Sequence, residues 1–219
     1  MTAYDLSGYK NHGTLTNMVP ATDHVVTPMG RALDFDGSND LVSIGHSSLH
    51  NPSILSVSVW FRNDATSDTH FVFSKGPSEA DNTYGMYVGA DGYVVATLKG
   101  YCILGASTNG SYTHAAFAYS NPNLFGWING IQTSQNIGAK SFTLTDALTL
   151  GREIPSYPYW FLGPIANICI WNRAILPSEI RSLYTDPWGM YRLRRRVYGA
   201  AVAPSGNRRR RLLIAGARR

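Results

Sequence analysis

Cleaving a glycosidic bond takes two carboxylates placed across it, one to donate a proton and one to attack or to activate water. The chain has three glutamates, Glu79, Glu153 and Glu179, and none has a second carboxylate at the Glu-x-Asp-x-x-Glu spacing that would line such groups along one strand. Six histidines, His12, His24, His46, His50, His70 and His114, neither cluster at metal-ligand spacing nor fall beside a serine and an aspartate. They read as turn and surface residues, and a protein that is not an enzyme is expected. Binding chemistry is better represented. Pro155-Ser156-Tyr157-Pro158-Tyr159-Trp160-Phe161 gathers rings next to Arg152-Glu153, and sugars present CH patches and hydroxyls that suit ring faces bordered by polar groups. Tyr157, Tyr159 and Trp160 are thus the glycan-binding candidates, against the alternative that this loop plugs the end of a core.

The second chemical feature is charge. Met1 to Tyr191 carries nine Lys and Arg against 14 Asp and Glu, a net of −5, whereas Arg192 to Arg219 carries ten Arg and no acid, a net of +10. The pI of 9.3 therefore belongs to the tail, and the body is mildly acidic. Arg192, Arg194, Arg195 and Arg196, then Arg208, Arg209, Arg210 and Arg211, alternate with apolar pieces such as Val197-Tyr198 and Leu212-Leu213-Ile214. Arginine forks phosphate well, so nucleic acid is one partner class. Basic blocks with an apolar footing fit an acidic protein surface better. Residues 192–219 are accordingly expected to anchor the body by running over a neighbouring acidic chain.

These groups must be positioned by a body with 44% hydrophobic and 15% charged residues, 21 Gly, 11 Pro and 13 Tyr among 219 residues. That composition fits one strand-rich, turn-rich domain and excludes a coiled coil or a disordered chain. Leu41 to Ile44, Leu55 to Phe61, Phe71 to Ser74, Tyr84 to Val88, Tyr93 to Leu98, Thr113 to Tyr119, Phe125 to Ile128 and Ala147 to Leu150 read as strands. In Ser56 to Trp60 the alternation predicts a half-buried strand, Val57 and Val59 inward. Asn129-Gly130 and Asp91-Gly92 are type I′ hairpin dipeptides. Pro177 to Tyr184 predicts one late helix with Ile180, Leu183 and Tyr184 on one side, stopped by Asp186-Pro187. Cys102 and Cys169 sit in apolar contexts and read as small buried hydrophobes, a disulfide being the alternative. The first residues lack a basic and then apolar leader, and no run of 18 apolar residues occurs, so secretion and a membrane partner are not expected. Many strands and one helix predict an all-β, two-sheet antiparallel sandwich or jelly roll.

Asp5-Leu6-Ser7-Gly8-Tyr9-Lys10-Asn11-His12-Gly13, then Ala32-Leu33-Asp34-Phe35-Asp36-Gly37-Ser38-Asn39-Asp40, and finally Leu162-Gly163-Pro164-Ile165-Ala166-Asn167 through Trp171-Asn172-Arg173 resemble motifs of laminin-G-like domains of the concanavalin A-like lectin superfamily. The resemblance spans Asp5 to about Trp188 and implies a jelly roll of roughly 12 to 14 strands ending in a short helix. The domains implied are 1–191 for the sandwich and 192–219 for the tail. Such domains usually open with a strand ahead of the Asp-x-Ser-Gly turn, and only four residues precede it here. That strand is expected to be missing or supplied by another segment, its edge short, covered by the tail or completed by a neighbour.

The resemblance also implies calcium at the Asp-x-Ser-Gly loop, held by Asp5 with Asn11 and Gly13 and by Asn167 in the closing strand. The alternative is that Asp5 caps its own turn, and Ala166-Asn167 stands where an acidic pair is usual. Asp34, Asp36 and Asp40 read as turn residues first and ligands second. Leu183-Tyr184-Thr185-Asp186-Pro187-Trp188 before an Arg-rich end resembles laminin-G-like proteins of tailed bacteriophages. The leading expectation is therefore a non-enzymatic virion accessory protein, made in the host cytoplasm and displayed on the particle surface through its tail. Its partners would be acidic virion proteins. The alternative is an adhesin that binds host-surface glycans.

Overall fold

The structure is a computed structural model and describes residues 1–19, 21–76, 84–143, 145–153 and 159–189. Two antiparallel sheets lie face to face. The first has eight strands in the order β1 (Thr2–Ala3), β2 (Gly13–Thr16), β5 (Leu41–Ile44), β14 (Leu148–Leu150), β7 (His70–Lys75), β8 (Tyr84–Val88), β9 (Tyr93–Leu98) and β10 (Tyr101–Ala106). The second has seven, β13 (Ile131–Asn136), β12 (Asn123–Ile128), β11 (Tyr112–Ser120), β6 (Leu55–Arg62), β15 (Leu162–Trp171), β4 (Gly30–Asp36) and β3 (His24–Thr27). This is the all-β jelly roll that the sequence implied, with fifteen strands among the described residues where roughly 12 to 14 were expected.

Period-two alternation makes the core. Tyr84, Met86 and Val88 on β8, Val94, Ala96 and Leu98 on β9, and Cys102 and Leu104 on β10 face Val57, Val59 and Phe61 of β6 and Ala115, Phe117 and Tyr119 of β11. Phe161 meets Phe35 and Phe61 edge-on, with centroids 6.4 and 5.9 Å away. Cys102 lies in this core and Cys169 on β15, with no disulfide between them.

One expectation needs correction. β6 is not half-buried, because its second face is covered as well. The helix α1 (Pro177–Thr185) lays Ile180 and Leu183, with Ile175 just before it, over Ala116, Ala118 and Trp127. Ser56 Oγ donates to the Arg173 carbonyl at 2.7 Å and accepts from Ile175 N–H at 3.1 Å, so the serines of the alternation serve a second, smaller core. Past the helix, Trp188 Nε1 donates to the Met29 carbonyl at 2.6 Å. Gly30, at φ +93, leaves the room that Trp188 needs, since a Cβ there would stand 2.8 Å from its ring.

Two further corrections concern turns and edges. Asn129 (φ 51) and Gly130 (φ 81) form the expected I′ hairpin between β12 and β13. Asp91-Gly92 also sits in a hairpin, but Gly92 alone has positive φ, and Gly92 N–H donates to the Gly89 carbonyl at 2.8 Å across a longer turn. The first strand is not missing: Thr2 and Ala3 pair with Thr14 and Gly13 as a two-residue stub, the short form of edge. Among the described residues no helix is long and apolar enough to cross a membrane.

Candidate functional site

Because Tyr84, Met86 and Val88 point into the core, Tyr87 must stand on the outer face of the eight-stranded sheet, and the same parity puts Tyr93 and Val95 of β9 and Tyr101 and Ile103 of β10 there. Register then aligns them. Phe71 pairs with Tyr87, Tyr87 with Val95, and Val95 with Ile103. The rings form a chain: Tyr159 stacks on Phe71 at 6.2 Å and 19°, Phe71 meets Tyr87 at 5.1 Å, and Tyr87 meets Tyr101 at 6.1 Å. Its β10 end is open, with Tyr101 58% and Ile103 59% exposed.

Polar groups border this row. Burial first, then neighbouring Tyr101, Asp91 and Glu153, push the Tyr87 phenol up to about 12, so it is a neutral hydroxyl at physiological pH. Asp91 is exposed on the β8–β9 turn and accepts from Tyr93 N–H at 3.1 Å. At the other end the Arg152 guanidinium lies 4.6 Å from the Trp160 ring centroid. His70 Nδ1 stands 2.6 Å from the Trp160 carbonyl, and Phe71 N–H donates to the Tyr159 carbonyl at 3.4 Å. Of the three sequence candidates, Tyr159 and Trp160 are half-buried at this end of the row, and Tyr157 lies outside the described residues. From sequence Tyr87 reads as a core or sheet-face residue, and Tyr101 and Ile103 were missed. Alternation could have assigned them to one face, but only strand order brings them beside Tyr159.

The Asp5 loop is a self-capped turn. Its carboxylate accepts from Ser7 N–H at 2.8 Å, Ser7 Oγ at 2.8 Å and Asn11 N–H at 2.9 Å, which outweighs burial and lowers its pKa. Gly13 begins β2 beside it, whereas Asn167 stands on β15 of the other sheet, at φ 47, with its buried Nδ2 lacking a hydrogen-bond partner. A carboxylate so engaged, joined only by neutral groups, is a poor fit to a hard cation.

Asp34, Asp36 and Asp40 meet Asp23 and Asp64 around a cavity of about 260 Å³ that Thr22, Phe35, Leu162 and Gly163 complete. Asp36 caps its turn by accepting from Ser38, Asn39 and Asp40 N–H groups, and its pKa is lowered against the opposing effect of burial. Burial and like-charge neighbours raise Asp34 and Asp40. Arg62 forks Asp64 at 2.7 and 2.6 Å. Among the described residues, no group of three or more His, Cys, Asp or Glu side chains has the geometry to hold a metal ion.

Two histidines, His50 and His114, are buried against the surface expectation. His114 is fully buried in β11, its Nε2 2.8 Å from Ser58 Oγ, beneath Trp60 and Tyr184. The pair has the chemistry of a nucleophile and base, but with 0 and 2% exposure it meets no substrate. The Arg-rich anchoring residues at 192, 194–196 and 208–211 lie outside the described residues.

Residues 36–181 match a laminin G family model described as the concanavalin A-like lectin/glucanases superfamily. The chain belongs to that superfamily. No curated protein matches this concanavalin A-like chain. Among solved structures it is similar to domain 4 of AbnA, a GH43 extracellular arabinanase from Geobacillus stearothermophilus in complex with arabinotriose, at TM-score 0.62 and 20% identity over 78% of this chain and 82% of that one. It is similar to the binding domain of Paraclostridial Mosquitocidal Protein 1 at TM-score 0.65 and 14% identity, over 85% of this chain and 50% of the other. A putative carbohydrate binding protein from Bacteroides ovatus gives TM-score 0.57 and 15% identity, over 68% of this chain and 45% of that one. At these identities the likeness is one of fold.

Proposed function

We propose that the chain is a carbohydrate-binding, non-catalytic module that holds a glycan on the outer face of its eight-stranded sheet. The observation that carries this is the continuous row Tyr159–Phe71–Tyr87–Tyr101, open at Tyr101 and Ile103 and bordered by Asp91. Ring faces take the CH patches of a sugar, while the Tyr87 hydroxyl and the Asp91 carboxylate take its hydroxyls. The acids beside Tyr87 favour neutral sugars over anionic ones. The arabinotriose complex of AbnA domain 4 and the Bacteroides ovatus protein support the class of ligand by similarity of fold. A glycan array probed with the full chain tests the reading. Tyr101→Ala should weaken the strongest neutral hit about tenfold, near 1.4 kcal/mol, with the melting temperature unchanged. Undiminished binding would count against this face.

A second reading rests on the charge division, −5 for residues 1–191 and +10 for 192–219. In it the sandwich is displayed on a bacteriophage particle, docked through the arginines on an acidic virion protein. Truncation after Tyr191 should then abolish incorporation into particles, and unchanged incorporation would sink the idea.

A further inference from the structure

A sheet edge presents unpaired N–H and C=O groups, and folded proteins blunt such edges with shortness, proline, bulges or charge. Among the described residues the two sheets have four edges, and three of them are blunted. β1 has two residues, β3 has four and runs directly into Pro28, and β10 is broken by a register shift between Ile103 and Gly105. β13 has none of these devices. Its six residues, Ile-Gln-Thr-Ser-Gln-Asn, pair with β12 in unbroken register, contain no charge and no proline, and are all exposed.

Which backbone groups face outward follows from that register. Ile128 pairs with Ile131 across the two-residue turn, and Ile137 N–H donates to the Pro122 carbonyl at 3.0 Å in the same register. Odd-numbered residues of β13 therefore bond to β12, and the groups of Gln132, Ser134 and Asn136 point away from the sheet. Thr133, from the other set, ties the strand to the facing sheet by donating from Oγ1 to the Leu104 carbonyl at 3.2 Å. The edge is thus held in shape before anything binds it.

We infer that β13 is a dimerisation edge whose partner is the β13 of a second copy of this chain, paired antiparallel about a two-fold axis at Ser134. The strand is self-complementary in that register. Ser134 faces Ser134 of the other copy, Gln132 faces Asn136 so that two side-chain amides meet, and the outward groups of these residues form six backbone hydrogen bonds. An uncharged strand brings no like-charge contact to the axis, and the result is one sheet of twice seven strands.

Sedimentation of the full chain from about 1 to about 200 µM tests this, with a mass rising from 24.0 kDa toward twice that value. Ser134→Pro removes one outward donor and leaves the β12 ladder whole, so it should stay at 24.0 kDa throughout while keeping the wild-type far-ultraviolet spectrum. Ser134→Lys keeps the backbone donor and sets two ammonium groups at the axis. It should raise the dimer dissociation constant at least about tenfold, and it carries the test if the proline variant misfolds. A wild-type chain that remains monomeric over the whole range overturns the inference. So does a dimer indifferent to both substitutions, which would point to the tail or to another edge.

Discussion

His114 is a titratable residue held far from its ordinary chemistry. Burial under Trp60, Tyr184 and α1 lowers its pKa to about 4 from 6.5, because a charged imidazole there would lose its hydration with no carboxylate to replace it. The unfolded chain takes up the proton first. The stability this histidine contributes is therefore complete above about pH 6.5 and is lost as the pH falls through about 4, a change of about 3 kcal/mol in all. Burial lowers His50 in the same direction, so the two must be separated by substitution. Urea unfolding of wild type and His114→Gln, compared at pH 7 and pH 5, should show a smaller acid loss in the variant. Equal losses would place the pH dependence elsewhere. Asp34 and Asp40 act with the opposite sign: their raised values make the cavity they share less destabilising when protonated, so their contribution falls as the pH rises through those values.

Among the elements, α1 separates apolar footing from ionic decoration. Arg173 forks Glu179 at 2.8 and 2.7 Å, and Glu179 also accepts from Leu176 N–H, which together hold its pKa down to about 2. Both partners are largely exposed, so solvent screening leaves the pair worth at most about 1 kcal/mol. Ile180, with 0% exposure against Ala116, Ala118 and Trp127, is worth more. Ile180→Ala should cost about 2–5 kcal/mol by urea unfolding, and Glu179→Gln less than about 1 kcal/mol. The reverse order would mean that the helix is held by its charges. This helix also explains why β6 misleads a reader of the sequence. The alternation Ser56-Val57-Ser58-Val59-Trp60 looks like one wet face, but the groups that cover that face come 117 and 119 residues later, at Arg173 and Ile175.

At the scale of the whole molecule, what was legible was local and what was not was pairwise. Seven of the eight strand spans read from apolar runs are strand throughout, the eighth begins at Leu148 and not Ala147, and the helix read from Pro177 to Tyr184 extends one residue further. Short-range chemistry is printed in the chain. The turn at Asp36-Gly37 and the hairpin at Asn129-Gly130 follow from backbone preferences of the residues themselves. The candidate site was only half legible, since Tyr159 and Trp160 stood out as an aromatic loop. Tyr87 and Tyr101 looked like ordinary strand residues until the order β7-β8-β9-β10 placed them in one row with Phe71. The five aspartates of the cavity are likewise spread from Asp23 to Asp64 and meet only through the pairing of β3, β4, β6 and β15.

The proposed function stands on glycan binding at this row. Chemical-shift mapping of the isotope-labelled chain titrated with the best neutral oligosaccharide from the array tests it directly, because it reports location as well as binding. The largest shifts should fall on Tyr87, Asp91, Tyr101, Ile103 and Tyr159, with the turn at Asp36 to Asp40 unmoved. Shifts confined to the aspartate cavity or to the Asp5 loop, with the aromatic row silent, would contradict it.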